Sequence, residues 1–104
     1  MFFAMNRFRI AIGHETVFED VWKNRESSLS DVPGFREFRL LRGDTVTEEG
    51  YTLFVSSSIW ESRDAFSAWT KSENFRAAHK SAADNRQMYL GPPKFEGFSV
   101  VEGA

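Results

Sequence analysis

The sequence predicts an α+β fold of the ferredoxin-like class, in which helices cover one face of an antiparallel sheet. Two observations lead to this prediction. Four segments have the alternation or the apolar composition of strands, and apolar residues recur at helical spacing after the first and the third of them. The resulting order is β-α-β-β-α-β. A chain of 104 residues is expected to form a single domain, 1–104.

The first strand is predicted from Phe2 to Ala11, because Phe8 and Ile10 fall on one face and arginines fall on the other. Gly13 ends this alternation. A helix is expected from about His14 to Ser28, where four apolar residues recur at helical spacing. These residues are Val17, Phe18, Val21 and Trp22.

The middle of the chain predicts two strands joined by a loop. A turn at Asp31–Gly34 leads into a strand over Phe35–Arg42. The acidic segment Gly43–Gly50 is expected to form a solvated hairpin loop, and Tyr51–Trp60 the third strand.

The last part of the chain predicts helices and a final strand. A helix is expected over Ser62–Trp69, and Ser72 has the character of an N-cap for a second short helix that carries His79. The polar segment Ser81–Lys94 is interpreted as a long loop, and Phe95–Glu102 as the last strand.

Composition and charge exclude several classes of function. Thirteen Lys and Arg against fifteen Asp and Glu give a net charge of −2, which does not fit a nucleic-acid binder. Cysteine is absent, so neither disulfides nor thiolate chemistry are expected. No apolar run approaches the roughly 20 residues of a membrane span, and no signal-peptide pattern is recognisable. We therefore expect a cytoplasmic protein without membrane partners.

An excess of aromatic residues indicates a second use for apolar surface. Aromatic residues make up 15% of the chain, with eleven Phe and three Trp. So short a chain buries only about 60–65% of its unfolded surface, and the helices cover one sheet face. A cavity for a flat apolar ligand and a subunit interface both fit, and we expect a homodimer in which two sheets join into an α+β barrel.

Two polar residues at apolar positions are the main candidates for a site. Asn6 lies in phase with Phe8 and Ile10, where its amide either pairs with the backbone or bonds a ligand. His79 follows Phe75 by one helical turn, as a satisfied core histidine or as a metal ligand. No second ligand stands at chelating spacing, and a single imidazole suffices only where a macrocycle supplies the other donors, as in haem.

Other candidates have a structural and a functional interpretation. Phe66 and Trp69 share one helix face, either as core residues or as the wall of a cavity for a flat ring. Arg25 is either a solvated charge or the partner of a ligand carboxylate. The remaining interpretations are structural, with Trp22 and Trp60 as core residues and His14 as a solvated turn residue.

Five short segments carry a family resemblance, namely Met5–Phe8, Pro33–Phe35, Trp60–Ser62, Ala65–Trp69 and Phe75–His79. Together they resemble antibiotic biosynthesis monooxygenase (ABM) domains, and their spacing is most similar to that of the IsdG-type haem-degrading monooxygenases. The resemblance extends over nearly the whole chain. Its most specific part is the set Asn6, Trp69 and His79, which matches the haem-degrading triad in residue type, order and approximate spacing.

The resemblance implies a haem-degrading monooxygenase in which haem is both cofactor and substrate. In that family the residue matching His79 ligates the iron, the one matching Asn6 bonds on the distal side, and the one matching Trp69 distorts the ring. The residue matching Arg25 lies near the propionates. The residues expected to contact haem are Asn6, Arg25, Phe66, Trp69, Phe75 and His79. The resemblance further implies O2, an external electron donor such as an unidentified reductase, and a dimeric barrel.

Two other functions fit the same residues. A cofactor-independent ABM monooxygenase that oxidises an aromatic polyketide is compatible with Asn6 and Trp69, so that His79 is the discriminating residue. A non-catalytic dimer that binds haem or another small ligand belongs to a different class. Such a carrier keeps its Soret band in the presence of reductant and oxygen, whereas an oxygenase loses it.

Overall fold

A four-stranded antiparallel sheet and two helices form the part of the chain that the computed structural model describes, residues 1–25, 29–72 and 87–104. The elements are β1 (Phe2–Ala11), α1 (Glu15–Asn24), a 3-10 turn (Leu29–Asp31), β2 (Phe35–Val46), β3 (Tyr51–Trp60), α2 (Arg63–Thr70) and β4 (Lys94–Ser99). The strand order β2-β3-β1-β4 confirms the predicted ferredoxin-like class. The short helix predicted after Ser72, with Phe75 and His79, lies outside the described residues.

The bounds of β1 and β3 agree with the prediction from sequence. These two strands pair along their whole length, from the partners Phe2 and Trp60 to the partners Ala11 and Tyr51. Because one face of each strand is buried, the alternation of side chains fixes the register. The alternating pattern was therefore sufficient to locate both strands.

Three other bounds differ from the prediction. The helix α1 ends at Asn24, before the predicted Ser28, because Arg25 has extended backbone angles of φ −69° and ψ 145°. Strand β2 extends beyond the predicted end at Arg42 and into the predicted loop as far as Val46. It does so because Thr45 still pairs with Thr52 after a register shift. Strand β4 ends at Ser99, whose partner Phe2 is the first residue of β1.

The core on the helix-facing side of the sheet is divided into two clusters. The first cluster lies by α1 and contains Phe8, Ile10, Phe18, Phe54 and Met88. The second cluster lies by α2 and contains Phe2, Ala4, Trp60 and Trp69. The sequence prediction of Trp60 as a core residue is confirmed, because it is 0% exposed and its Nε1 donates to Ser58 Oγ at 2.9 Å.

The start of α1 is fixed by a carboxylate instead of a side-chain N-cap. Glu15 accepts the backbone N–H of Gly13 and the hydroxyl of buried Thr52, both at 2.8 Å. Because Thr52 gives its proton to Glu15, the 2.8 Å contact between Thr52 and Thr45 requires Thr45 to donate. These hydrogen bonds lower the pKa of Glu15, the one from Thr52 most strongly.

The preceding residue, His14, was predicted to be a solvated turn residue, and that interpretation is wrong. Its ring is partly buried, and within the described part of the chain Nδ1 is shielded from solvent with no hydrogen-bond partner. The reason is that the chain turns back at Gly13, where φ is 98°, and the backbone N–H of His14 then bonds to Ala11 O at 3.0 Å.

The opposite face of the sheet carries apolar side chains that neither α1 nor α2 covers. Strand pairing places Phe3 next to Ile59 and Phe98 on this side, and Leu41 next to Val55. Phe98 is 48% exposed and Leu41 is 45% exposed. This open face therefore carries apolar side chains on all four strands, beside the ion pairs Arg7–Glu96 and Arg39–Glu37.

Candidate functional site

Asn6 lies in the middle of the helix-facing side, between the two core clusters. Its neighbours on the same face of β1 are Ala4, which belongs to the second cluster, and Phe8, which belongs to the first. The amide of Asn6 is partly buried, and no hydrogen bond joins it to any residue in the ranges described. The backbone pairing that the sequence left open as an alternative is thus absent from this part of the chain.

A single row of cross-strand partners passes through Asn6. Asn6 pairs with Ser56 of β3 and with Phe95 of β4, and Ser56 pairs in turn with Leu40 of β2. Partners in an antiparallel sheet point to the same side, so all of these side chains face the helices. We call Leu40, Ser56, Asn6 and Phe95 the central row. With neighbouring strands about 4.8 Å apart, it spans roughly 14 Å.

Aromatic rings from α2 lie at the β4 end of the central row. The rings of Phe66 and Phe95 stack at 5.5 Å with an interplanar angle of 8°, and Phe95 remains 48% exposed. Phe66 also lies 6.1 Å from Trp69. Phe66 and Trp69 are therefore on the same side of the sheet as Asn6, as the sequence predicted.

Trp69 itself is largely buried. It is 8% exposed, and its ring centroid is 5.3 Å from that of Trp60. The helix α2 is capped by Ser62, whose hydroxyl accepts the N–H of Ala65 at 3.1 Å. It approaches Gly34 so closely that a Cβ at this positive-φ glycine would lie 2.5 Å from the Ala65 Cβ. This close packing fixes α2, and with it Trp69, against the second cluster.

An open pocket of about 340 Å³ lies at the other end of the central row, between α1 and the outer strand β2. Its apolar lining is formed by Trp22, Phe38, Leu40 and Phe54. Charged residues also line it, namely Glu19, Lys23, Arg25 and Arg42. The interpretation of Trp22 as core packing is confirmed, because it packs against Phe8 and Phe18 of the first cluster. The residue is only partly buried, and it also forms a pocket wall beside Phe38.

Arg25 is half-buried at this pocket. Its Nη1 donates to the carbonyl of Trp22 at 2.8 Å, which satisfies one of the free carbonyls at the end of α1. Its guanidinium carbon lies 4.6 Å from the ring centroid of Trp22 and 4.5 Å from that of Phe38. Burial lowers the pKa of Arg25, but a guanidinium stays protonated in proteins. Arg25 is thus a fixed cation and not a freely solvated charge.

The structure brings some of the predicted site residues together and leaves others undecided. Asn6, Phe66 and Trp69 line the helix-facing side near the central row, and Arg25 lines the pocket at its far end. Sequence reasoning missed the contributions of three aromatic residues, which only the strand register and the packing of α1 reveal. These residues are Trp22, Phe38 and Phe95. His79, which is the predicted metal ligand, lies outside the described ranges, and so does Phe75.

Two further findings apply to the described ranges alone. They contain no group of three or more His, Asp or Glu side chains that could hold a metal ion. They also contain no helix that is long and apolar enough to cross a membrane.

Comparison with known proteins gives a family match. Residues 1–81 match the family model for antibiotic biosynthesis monooxygenase. Curated relatives named heme-degrading monooxygenase, from Listeria welshimeri and Listeria monocytogenes, are each 33% identical over 60 residues. These 60 residues are 58% of this chain and 49% of the relative, so the match spans about half the length of these curated relatives.

Two solved structures are also similar to this chain. The heme-degrader MhuD from Mycobacterium tuberculosis, solved with two hemes in its active site, has a TM-score of 0.76 and 26% identity, covering 100% of this chain and 99% of that one. SnoaB, a cofactor-independent oxygenase from Streptomyces nogalater, has a TM-score of 0.68 and 22% identity, covering 95% of this chain and 91% of that one. The second likeness concerns the fold alone.

Proposed function

This chain belongs to the antibiotic biosynthesis monooxygenase family, and we propose that it is a haem-degrading monooxygenase with haem as cofactor and substrate. The observation that carries the proposal is the central row. In this row the amide of Asn6, which has no hydrogen-bond partner among the described residues, lies between an aromatic stack at one end and a half-buried cation at the other. Similarity to haem-degrading relatives supports the same activity.

The described residues fit a haem. Haem is a flat, apolar ring with two carboxylates at one edge, so its site needs apolar walls, few polar groups and a cation. Phe66, Phe95 and Trp69 supply aromatic surface on the α2 side. Arg25 supplies the positive charge on the α1 side. Asn6 supplies a polar group at the centre that has no other partner in the described ranges.

Each residue then has a distinct task. His79 would ligate the haem iron, and Phe75 would contact the haem. Asn6 would donate or accept a hydrogen bond through its amide, and Trp69, which packs against Trp60, would limit the position of the ring. Haem iron supplies the activation of O2 when electrons arrive from an external donor. The donor is proposed to be a separate reductase.

We also propose that the active form is a homodimer. The open sheet face exposes Phe98 and Leu41, and its centre carries further apolar residues of β1 and β3. An apolar sheet face is stable only when another layer covers it. A second copy of the same face would do so symmetrically and form the α+β barrel expected from the sequence.

The decisive test is turnover. Purified protein is titrated with haemin, and the Soret band is followed in air after ascorbate is added, with catalase present to remove free peroxide. The proposal predicts a bound-haem spectrum and then loss of the Soret band with release of iron that a ferrous chelator detects. A Soret band that persists indicates a haem carrier, and an absence of haem binding favours a cofactor-independent oxygenase; either result contradicts the proposal.

A further inference from the structure

The pocket between α1 and β2 contains an arginine whose position is fixed on three sides. The rings of Trp22 and Phe38 stack at 5.5 Å with an interplanar angle of 13°. The Arg25 guanidinium carbon is within 4.6 Å of both ring centroids, and Nη1 is bonded to the Trp22 carbonyl. A guanidinium held in this way has lost most of its rotamer freedom before any ligand arrives.

Arg25 has no counter-ion in the parts of the chain that the structure describes. The ion pairs there are formed by other arginines, and the pair nearest to the pocket joins Arg42 to Glu19 at 2.9 Å. Glu19 is therefore already engaged, and among the described residues it is the one carboxylate that lines the pocket. With Lys23 also on the lining, the described part of the lining has an excess of positive charge beside an apolar wall.

Because no described residue serves as its counter-ion, Arg25 indicates which ligands the pocket favours. One N–H of the Arg25 guanidinium donates to the Trp22 carbonyl, and no other hydrogen bond joins this guanidinium to a residue in the ranges 1–25, 29–72 and 87–104. A half-buried cation gains more from an arriving carboxylate than a fully solvated one, because water screens the pair less. Since the guanidinium is already ordered, binding requires little further loss of side-chain entropy.

We infer that Trp22 and Phe38 are positioning residues that hold Arg25 as a carboxylate clamp, so that this pocket selects flat ligands with an acidic edge over neutral ligands of the same shape. The inference rests on the proposed function, in which the propionates of haem supply the carboxylates. It adds to that function a cause of selectivity, which lies in two aromatic rings that touch the cation.

The test uses a porphyrin without iron, so that neither axial ligation nor turnover contributes. Binding of protoporphyrin IX and of its dimethyl ester to the full chain is measured by fluorescence titration. The wild-type protein is expected to prefer the free acid by about tenfold, the effect of one directional charged contact. The preference should decrease as salt is added, because the pair is partly exposed to solvent.

Variants separate positioning from a structural role. Arg25→Ala should reduce the preference to about one, and Phe38→Leu should reduce it by severalfold, because the free acid then loses more affinity than the ester. Phe38→Tyr keeps a ring and should restore the preference; Trp22→Phe and Trp22→Leu form a second pair with the same contrast. Arg36→Ala is the matched control, because Arg36 is an exposed arginine of β2 that pairs with Glu61 away from the pocket.

The outcomes are distinct. A wild-type preference in Phe38→Leu and Trp22→Leu, with a lost preference in Arg25→Ala, would show that the rings do not position the cation. An unchanged preference in Arg25→Ala, or equal binding of acid and ester to the wild type, would overturn the clamp itself. If the proposed haem-degrading function fails but the clamp is correct, the protein will still prefer protoporphyrin IX to its dimethyl ester and will not degrade haem.

Discussion

Asn6 of β1 and Phe95 of β4 are cross-strand neighbours on the helix-facing side of the sheet, and the ring of Phe95 stacks on Phe66. A polar amide therefore lies directly beside a flat aromatic surface. Hydrogen bonding and ring contact can act on the same ligand at this place. The pairing is not visible in the sequence, because the two residues are separated by most of the chain.

The first prediction concerns this aromatic surface. Phe95→Ala should weaken haem binding by roughly threefold to tenfold, because a half-exposed ring loses its contact with the ligand. The thermal midpoint should change little, since the ring is 48% exposed in the free protein. Haem titration and thermal unfolding of the same samples check this, with Val17→Ala as an exposed control on α1. Equal affinities for haem in both variants would remove Phe95 from the site.

Trp69 is predicted to affect stability and turnover to different extents. It is 8% exposed and packs on Trp60, so Trp69→Ala should lower the free energy of unfolding by about 3–5 kcal/mol. Trp69→Phe keeps most of the packing and is therefore the variant for kinetics. We expect it to bind haem but to degrade it more slowly. A wild-type rate of Soret loss in Trp69→Phe would make Trp69 a packing residue only.

Stability should depend on pH through Glu15. Hydrogen bonds from Thr52 and Gly13 lower its pKa below the usual 4.5, so the folded state favours the carboxylate. Its contribution is therefore fully present above the unfolded pKa and is lost as the pH falls through the lower folded pKa. Urea unfolding between pH 7 and pH 3 should show a smaller acid-dependent loss in Glu15→Gln than in the wild type. The exposed Glu48→Gln serves as control, and identical pH profiles for Glu15→Gln and the wild type would refute this role.

The open sheet face gives a prediction about assembly. Light scattering of the wild-type protein should give about twice the chain mass of 12.0 kDa at micromolar concentration. Leu41→Glu should shift the mass toward the monomer, because it places a charge within an apolar interface. The surface substitution Glu48→Lys should leave the mass unchanged. A monomer mass for the wild type would contradict the dimer.

The sequence predicted features that depend on local patterns, and it did not predict features that depend on contacts between distant parts of the chain. The strands β1 and β3 were located correctly, and Asn6 was placed on the buried face, because side-chain alternation is a local property. The end of α1 was not predicted, since no residue in the sequence marks the extended backbone at Arg25. Trp22 was correctly interpreted as core packing, but its contact with Phe38 of another element was not predicted.

Two kinds of information in the sequence identified parts of the candidate site. The alternation of side chains along β1 placed Asn6 on the helix-facing side, and the family resemblance singled out Trp69 and Arg25. Phe95 could not be found in this way, because its closeness to Asn6 depends on the register between the first and last strands. The partly buried position of His14 likewise depends on the turn of the chain at Gly13.

The central claim is that Asn6 takes part in haem degradation and not in haem retention. The two variants Asn6→Ala and His79→Ala separate these steps. His79→Ala should fold normally but lack the spectrum of histidine-ligated haem. Asn6→Ala should retain that spectrum, because its amide has no structural hydrogen bond in the described chain whose loss would disturb the fold.

The most direct measurement is the rate of Soret loss in the Asn6→Ala haem complex after ascorbate is added in air, compared with the wild type under the same conditions. We predict that the wild-type band disappears with release of iron, while the Asn6→Ala band persists with haem still bound. Degradation by Asn6→Ala at the wild-type rate would contradict the account.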